Sequence, residues 1–322
     1  MNWKDLRYRL EWTGVASLRF AIPKLPRAMA LGLARGLGRL AYWIDARGRQ
    51  TALENLRVIF GDRFDEKERR AIALESFQNF ARNAVDLFWA GHLTRDNYEQ
   101  FVEIQTDHMD AVEEGRETGA IWVTPHYGNF EWIAYMMGFR DFPFMIIAQD
   151  FKNPHLTQVI KECREGSGHE VIGQRRAMIK LLKHLKGRGQ AAFLTDLTVK
   201  PSRAATIIRC FGRQTCVTLL HAVLAERSGL RVIPGMCFPQ ADGTYRIEGF
   251  APLEFSEGES LQQIAQSCWD VFEAKILENP GPWIWMYKHW RYLPAEADPA
   301  TYPAYANRSA RFDALEKQIA ES

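Results

Sequence analysis

The chain is poor in cysteine. It has five in 322 residues (Cys163, Cys210, Cys216, Cys237 and Cys268), odd in number, widely spread and never paired as Cys-x-x-Cys. That argues against a disulfide framework or a zinc ribbon and makes reduced thiols the default. Long apolar runs are also missing. The longest stretch free of Asp, Glu, Lys and Arg is 118–130, thirteen residues interrupted by Pro125, His126 and Asn129. A membrane-spanning helix needs about 18 or more apolar residues, so none is expected. The N-terminal residues lack the apolar region of a secretion signal. Charge of one sign is absent too: 41 Lys and Arg against 39 Asp and Glu leave a net +2, which excludes a chain-wide nucleic-acid footprint. No repeat or low-complexity linker occurs. What remains, 47% apolar residues with 23 Gly and 14 Pro, is the composition of a folded globular chain.

The even charge hides an asymmetry. Residues 1–50 carry ten cations and three acids, so the first fifty residues hold +7 and the rest −5. A basic end on a slightly acidic body points to an anionic surface as partner. The pattern at 28–45 predicts a helix with Leu33, Leu37, Leu40 and Ile44 within about 60° of one another and Arg35 and Arg39 opposite. Trp12, Tyr42 and Trp43 add amphipathic rings. Two readings stay open: a helix lying in a membrane surface, or one packed on the protein's own core. Gly32 and Gly36 permit close helix packing. A second helix over 66–90 places Ala73, Phe77, Phe80, Ala81, Ala84 and Phe88 on one face, read as core.

Up to about residue 118 the chain reads as helical. Beyond it, short apolar runs at 120–124, 144–148, 190–195, 205–208, 231–236 and 244–248 alternate with helical patterns at 130–138, 154–165, 175–187, 217–228 and 259–278. The fold class is therefore α/β, a mixed central sheet covered by helices.

Three His-x4-Glu spacings occur: His108–Glu113, His126–Glu131 and His221–Glu226. With eight His and 39 acids the bare spacing means little, so context must choose. On a helix five residues span about 140°, which separates the first and last pairs. His126 instead leaves a strand at a turn, and Glu131 falls in the first turn of the next helix. That places the pair at the carboxyl end of a strand, where open α/β sheets bind ligands, and lets the carboxylate fold back onto the imidazole. A carboxylate on Nδ1–H fixes the tautomer, and the other nitrogen can take a proton. No Ser or Cys stands beside the pair, so the nucleophile would belong to a substrate. A capped helix with a satisfied His is the structural alternative.

The segment Thr124-Pro125-His126-Tyr127-Gly128-Asn129-Phe130-Glu131 resembles the His-x4-Asp/Glu block of the lysophospholipid acyltransferase superfamily, and more closely that of the bacterial late acyltransferases of lipid A biosynthesis. Further blocks follow in the family's order: Asn153-Pro154-His155-Leu156 with Arg164, Phe193-Leu194-Thr195-Asp196, Cys210-Phe211-Gly212 with Thr215, Leu224 to Gly229 with Val232-Ile233-Pro234, and Pro282-Trp283-Ile284-Trp285 with Trp290. The resemblance covers about 10–295. It implies that His126 is a general base oriented by Glu131, deprotonating an acceptor hydroxyl that attacks the thioester of an acyl carrier protein without an acyl-enzyme. It ties Arg164 and Asp196 to activity, Arg164 as a partner for a phosphate and Asp196 as an organiser of a basic group or the acceptor. Asn129 and, more weakly, Arg203 are substrate-binding candidates, Asn129 equally a helix cap.

The resemblance implies no cofactor and no metal, and His126 has no second His at ligand spacing for zinc. The partners implied are an acyl carrier protein, a lipid acceptor and a membrane surface, at the cytoplasmic face of a bacterial inner membrane and peripheral or monotopic. An acidic carrier would need a basic dock, for which Lys152, Lys161, Arg164, Arg175, Arg176 and Lys180 are candidates. Three departures stand out. Gln149-Asp150 replaces the family's Arg-Pro, Leu197 its Gln or His, and Cys210 a Phe. Fewer cations in the cleft suit an acceptor with fewer phosphates. Two alternatives remain: acyl-CoA with a glycerolipid or amino-lipid acceptor, and a non-catalytic lipid-binding protein of the same fold. The chain divides into a basic helical region at 1–60, an α/β acyltransferase domain at 61–295 and a helical tail at 296–322.

Overall fold

A computed structural model describes residues 3–256 and 258–321. Four helices come first: α1 (Trp3–Ala21), α2 (Arg27–Ile44), α3 (Ala46–Phe60) and α4 (Glu66–Trp89). The central part runs β1 (Val102–Gln105), α5 (Met109–Thr118), β2 (Ala120–Thr124), α6 (Phe130–Phe139), β3 (Phe144–Ala148), α7 (Pro154–Glu165), β4 (Glu170–Gly173), α8 (Ala177–Lys186) and β5 (Gln190–Leu194). After it come β6 (Ala205–Cys210), β7 (Arg213–Thr218), α9 (Leu220–Ser228), β8 (Val232–Pro239), β9 (Tyr245–Gly249), α10 (Leu261–Glu278) and α11 (Ala310–Glu321).

Seven strands form one sheet in the order β1-β9-β8-β2-β5-β3-β4. Every neighbouring pair is parallel except β8 with β9. The expected mixed sheet is present, and it is mostly parallel. Its inner strands read as unbroken apolar runs because helices cover both faces. The crossovers β2–α6–β3 and β3–α7–β4 step one way along the sheet, and β4–α8–β5 steps back. With right-handed crossovers, α6 and α7 lie on one face and α8 on the other. The buried side chains divide accordingly: Trp132, Ile133, Val159 and Cys163 pack with the end of α4, while Ala177, Leu181 and Leu185 pack with α9 and α10.

Local chemistry sets the ends of these elements. Asp65 and Glu68 close a capping box on α4, Ser260 and Gln263 one on α10, and Asn153 caps α7 with Pro154 at its first position. β6 and β7 join through Phe211-Gly212, both at positive φ, the two-residue turn that matches strand twist. It inserts the Phe211 ring among Trp269, Trp283, Trp285 and Trp290.

Three expectations need correction. β1 interrupts the region read as helical. It is a four-residue edge strand whose Val102-Glu103-Ile104-Gln105 alternation is too short to outweigh its helical neighbours. The buried face of α4 is also not the one predicted. Ala73, Phe77 and Phe88 are inside, but Phe80 is 48% exposed and Ala84 is exposed, while Ser76, Asn79, Asn83 and Asp86 are buried. Finally, Gly32 and Gly36 face open space. Close packing of α2 on α4 occurs at Gly38, where a Cβ would overlap the Gln78 backbone, and there Tyr42 is buried edge-on against Phe77. No helix among the described residues is long and apolar enough to cross a membrane.

Candidate active site

β2 ends at Thr124, and His126-Tyr127-Gly128-Asn129 turns the chain into α6. Gly128 has φ +55° and lies so close to the Cys237 carbonyl that any Cβ would collide with it. The position therefore demands glycine. Asn129 caps α6, its Oδ1 accepting from Trp132 N at 3.1 Å, and its Nδ2 donates to Asp86 at 3.1 Å. Asn129 is fully buried. It supports the turn and offers no side-chain surface to a substrate.

The carboxylate on His126 is Asp196, from the segment that continues β5, and not Glu131. His126 Nδ1 lies 2.6 Å from Asp196 Oδ1. The His126 backbone N–H donates to Oδ2 at 2.8 Å, and Trp283 Nε1–H donates to the same oxygen at 2.8 Å. A carboxylate bound by these donors is an acceptor on the ring side as well, so the proton sits on Nδ1 and the Nε2 lone pair is left free. Nε2 has no hydrogen bond among the described residues. Burial works to raise the Asp196 carboxyl, but the His126 ring and the hydrogen bonds outweigh it and hold the group below the ordinary carboxylate value.

Glu131 does sit in the first turn of α6, but it faces α7. Arg164 binds it with Nε at 2.9 Å and with Nη2 on the other oxygen. This is a two-pronged charged contact stronger than one to a neutral imidazole. Burial acts to lower Arg164, and the Glu131 carboxylate more than restores it, leaving it raised. The structure thus sorts the sequence candidates into two pairs, His126–Asp196 and Glu131–Arg164. Arg203 is exposed in the loop before β6 and joins neither.

Several supporting residues were not singled out in the sequence. Ser76, Asn79, Asn83 and Asp86 recur every three or four residues, one buried polar stripe on α4. Asn79 Nδ2 donates to the carbonyls of Gly128 at 3.0 Å and Pro282 at 2.9 Å, and Asn83 also reaches Gly128 O. Ser76 bonds the Trp283 carbonyl. The stripe fastens the histidine turn and the 282–283 loop to one helix. Trp283 in turn is fully buried and stacks on His289, ring centroids 4.0 Å apart. The 3-4-3 spacing of Ser76, Asn79, Asn83 and Asp86 is the signal that would have revealed the stripe, one face of a helix that also carries exposed charges.

Beside the turn a narrow apolar cavity of about 80 Å³ opens between β1, α5, β2, α6 and β9. Thr124 and Phe130 line it, and the Phe130 ring is 4.9 Å from that of His126. Ile133, Met137, Val112 and Trp122 continue the wall towards Arg140. Phe130 and Arg140 are ten residues apart on or beside α6, roughly 15 Å along its axis. All five cysteines are buried, and burial raises each thiol above its ordinary value. None is a ready nucleophile. The arrangement can therefore take a proton from a hydroxyl held between His126 and a long apolar chain.

Residues 2–292 match the family described as bacterial lipid A biosynthesis acyltransferase. The phosphatidylinositol mannoside acyltransferase of Mycolicibacterium smegmatis is 27% identical over 301 residues, covering 89% of this chain and 91% of that one. The lipid A biosynthesis lauroyltransferase of Escherichia coli is 23% identical over 301 residues, covering 92% and 95%. The phosphatidylinositol mannoside acyltransferase of Mycobacterium tuberculosis is 24% identical over 222 residues, covering 68% and 69%.

Proposed function

The chain belongs to the bacterial lipid A biosynthesis acyltransferase family, and from that premise we propose that it moves a fatty acyl chain from an acyl carrier protein thioester to a hydroxyl of a membrane lipid. The observation that carries this reading is the His126–Asp196 pair beside an apolar cavity. The acyl chain lies in the cavity, with its thioester carbonyl near Phe130. His126 Nε2 takes the proton of the acceptor hydroxyl while Asp196 stabilises the imidazolium. The hydroxyl oxygen bonds to the carbonyl carbon, the carbon–sulfur bond breaks, and the departing thiolate recovers the proton from His126. No acyl-enzyme forms.

Glu131 orients Arg164, and the Arg164 Nη1 left over by that pair meets an anionic group of the acceptor or the donor. Gln149, Asp150, Lys161 and Arg164 line one small cleft. Asp150 therefore offsets a cation where the resemblance leads one to expect another, which favours an acceptor with few phosphates. The relatives' names widen the acceptor panel to lipid A precursors and mannosylated phosphatidylinositols. Exposed Trp3, Leu10 and Phe20 on α1, and Leu40, Trp43 and Ile44 on α2, together with the +7 end, support the reading of a protein seated on a bilayer surface, at its cytoplasmic face in our proposal.

The test is transfer of radiolabelled acyl chain from carrier protein or CoA to a panel of lipids in anionic vesicles. Wild type, His126→Ala, Asp196→Asn and Glu131→Ala are run together. Label should reach one acceptor class in wild type and fall to background in His126→Ala. Equal transfer by His126→Ala rejects the site, and lipid binding without any turnover favours a non-catalytic role.

A further inference from the structure

Residues 171–195 contain no Asp or Glu and six cations: Arg175, Arg176, Lys180, Lys183, Lys186 and Arg188. All six are exposed, and none enters an ion pair among the described residues. By contrast, Lys161 is paired with Glu165 and Arg164 with Glu131, which removes both from the set of free docking cations. On α8, at about 100° per residue, Lys183 and Lys186 fall within about 40° of Ile179, and Lys180 lies about 100° round. Ile179 is 69% exposed, although α8 already satisfies the core with Ala177, Leu181 and Leu185. An apolar side chain ringed by one sign of charge has the anatomy of an interface anchor.

Helix electrostatics explain the cations at the end of α8 but not those at its start. Lys183 and Lys186 are welcome near the helix C-terminus, whereas Arg175 and Arg176 precede the N-terminus, where the dipole opposes positive charge. Arg176 also takes a left-handed backbone, φ +55°, an unusual state for a non-glycine residue. Cations kept against local preference suit a functional surface.

The position of α8 separates this surface from the apolar one. α1 packs on α7, with Asn153 Nδ2 donating to Tyr8 O at 2.9 Å and Arg19 paired to Glu162. α7 and α8 cover opposite faces of the sheet. The cations of α8 are thus not a continuation of α1's exposed Trp and Leu side chains. α8 packs over β3 and β5, and β5 leads into Asp196. α8 begins just after β4, so its N-terminal end stands at the carboxyl end of the parallel strands, the end at which β2 delivers His126.

We propose that the outer face of α8, centred on Ile179, is the docking surface for a soluble acidic protein that carries the acyl thioester. This rests on the carrier-donor reading above. The partner's carboxylates meet Arg175, Lys180 and Lys183, and an apolar side chain covers Ile179.

The experiment compares wild type with Lys180→Glu/Lys183→Glu and with Ile179→Ser. Fluorescence anisotropy gives the Kd of labelled acyl carrier protein, assays at saturating carrier give kcat, and sedimentation with anionic vesicles reports membrane binding. The expected result is a Kd about tenfold higher in each variant, more salt-sensitive in wild type than in the charge variant, with kcat and vesicle binding unchanged. An unchanged Kd, or a loss of vesicle binding in place of carrier binding, overturns the proposal, the latter making α8 a membrane face. If wild type turns over CoA thioesters but no carrier thioester, the donor reading itself fails. That result appears before any variant is made.

Discussion

Asp196 is the residue on which the chemistry turns, because it binds His126 at both ring and backbone and has one further donor in Trp283. Asp196→Asn keeps the shape but removes the charge that stabilises an imidazolium, so kcat should fall on the order of 10²–10⁴-fold with little change in lipid binding. Trp283→Phe keeps an aromatic ring against His289 but loses the indole N–H and part of the buried ring volume. The carboxylate is then less firmly held, and kcat should drop by about tenfold while KM holds, read from the same transfer assay. A Trp283→Phe enzyme with wild-type kcat would show that Asp196 is positioned by His126 alone. The sequence was informative about His126 because a strand, a proline and a turn frame it. It was misleading about Glu131, because spacing along a chain says nothing of an arginine 33 residues away that claims the carboxylate. Asp196 lies 70 residues from His126. Only the parallel pairing of β2 with β5 brings the two strand ends together, and register across a sheet cannot be read from local pattern.

Among the elements, α4 shows how a helix can serve a site it does not belong to. Its buried amides hold the Gly128 and Pro282 carbonyls, the latter also accepting from Gly128 N at 3.2 Å. Asn79→Leu fills the space yet strips both carbonyls of a donor. Stability should fall by about 1–3 kcal/mol, seen as a lower urea midpoint, and activity should fall with it as the histidine turn loosens. A midpoint unchanged from wild type would mean that Asn83 on the Gly128 carbonyl and the Gly128 N–H on the Pro282 carbonyl suffice. Most helices and inner strands could be placed from the sequence because their periodicity is strong. β3, for example, lies at the predicted 144–148 and α7 at 154–165. The errors fell where burial and polarity part company. On α4 the inward face is the polar one at four positions, so reading apolar residues as core put Phe80 inside.

For the molecule as a whole, the buried histidines couple folding to acidity. His221 is fully enclosed with both ring nitrogens unpartnered among the described residues, and burial pushes its pKa down to about 4 from 6.5. His289 is pushed down likewise to about 4, also chiefly by burial. Between those values the unfolded chain binds protons that the native state refuses. Stability is therefore complete above about pH 6.5 and declines as pH falls towards 4, each unit of difference being worth about 1.4 kcal/mol per group. Urea titrations across that range should show this slope, and His221→Leu should flatten part of it. An unaltered slope would place the acid sensitivity elsewhere.

The division of the two sheet faces also bears on how turnover would proceed in time. On the proposed reading, the helix that touches the bilayer and the helix that receives the donor are covered by different sides of the same sheet. A spent donor could leave and a fresh one arrive without the protein lifting off its membrane. Such an enzyme works processively, consuming the acceptors of one vesicle before it hops to the next, and the supply of lipid within a single leaflet sets the length of each run.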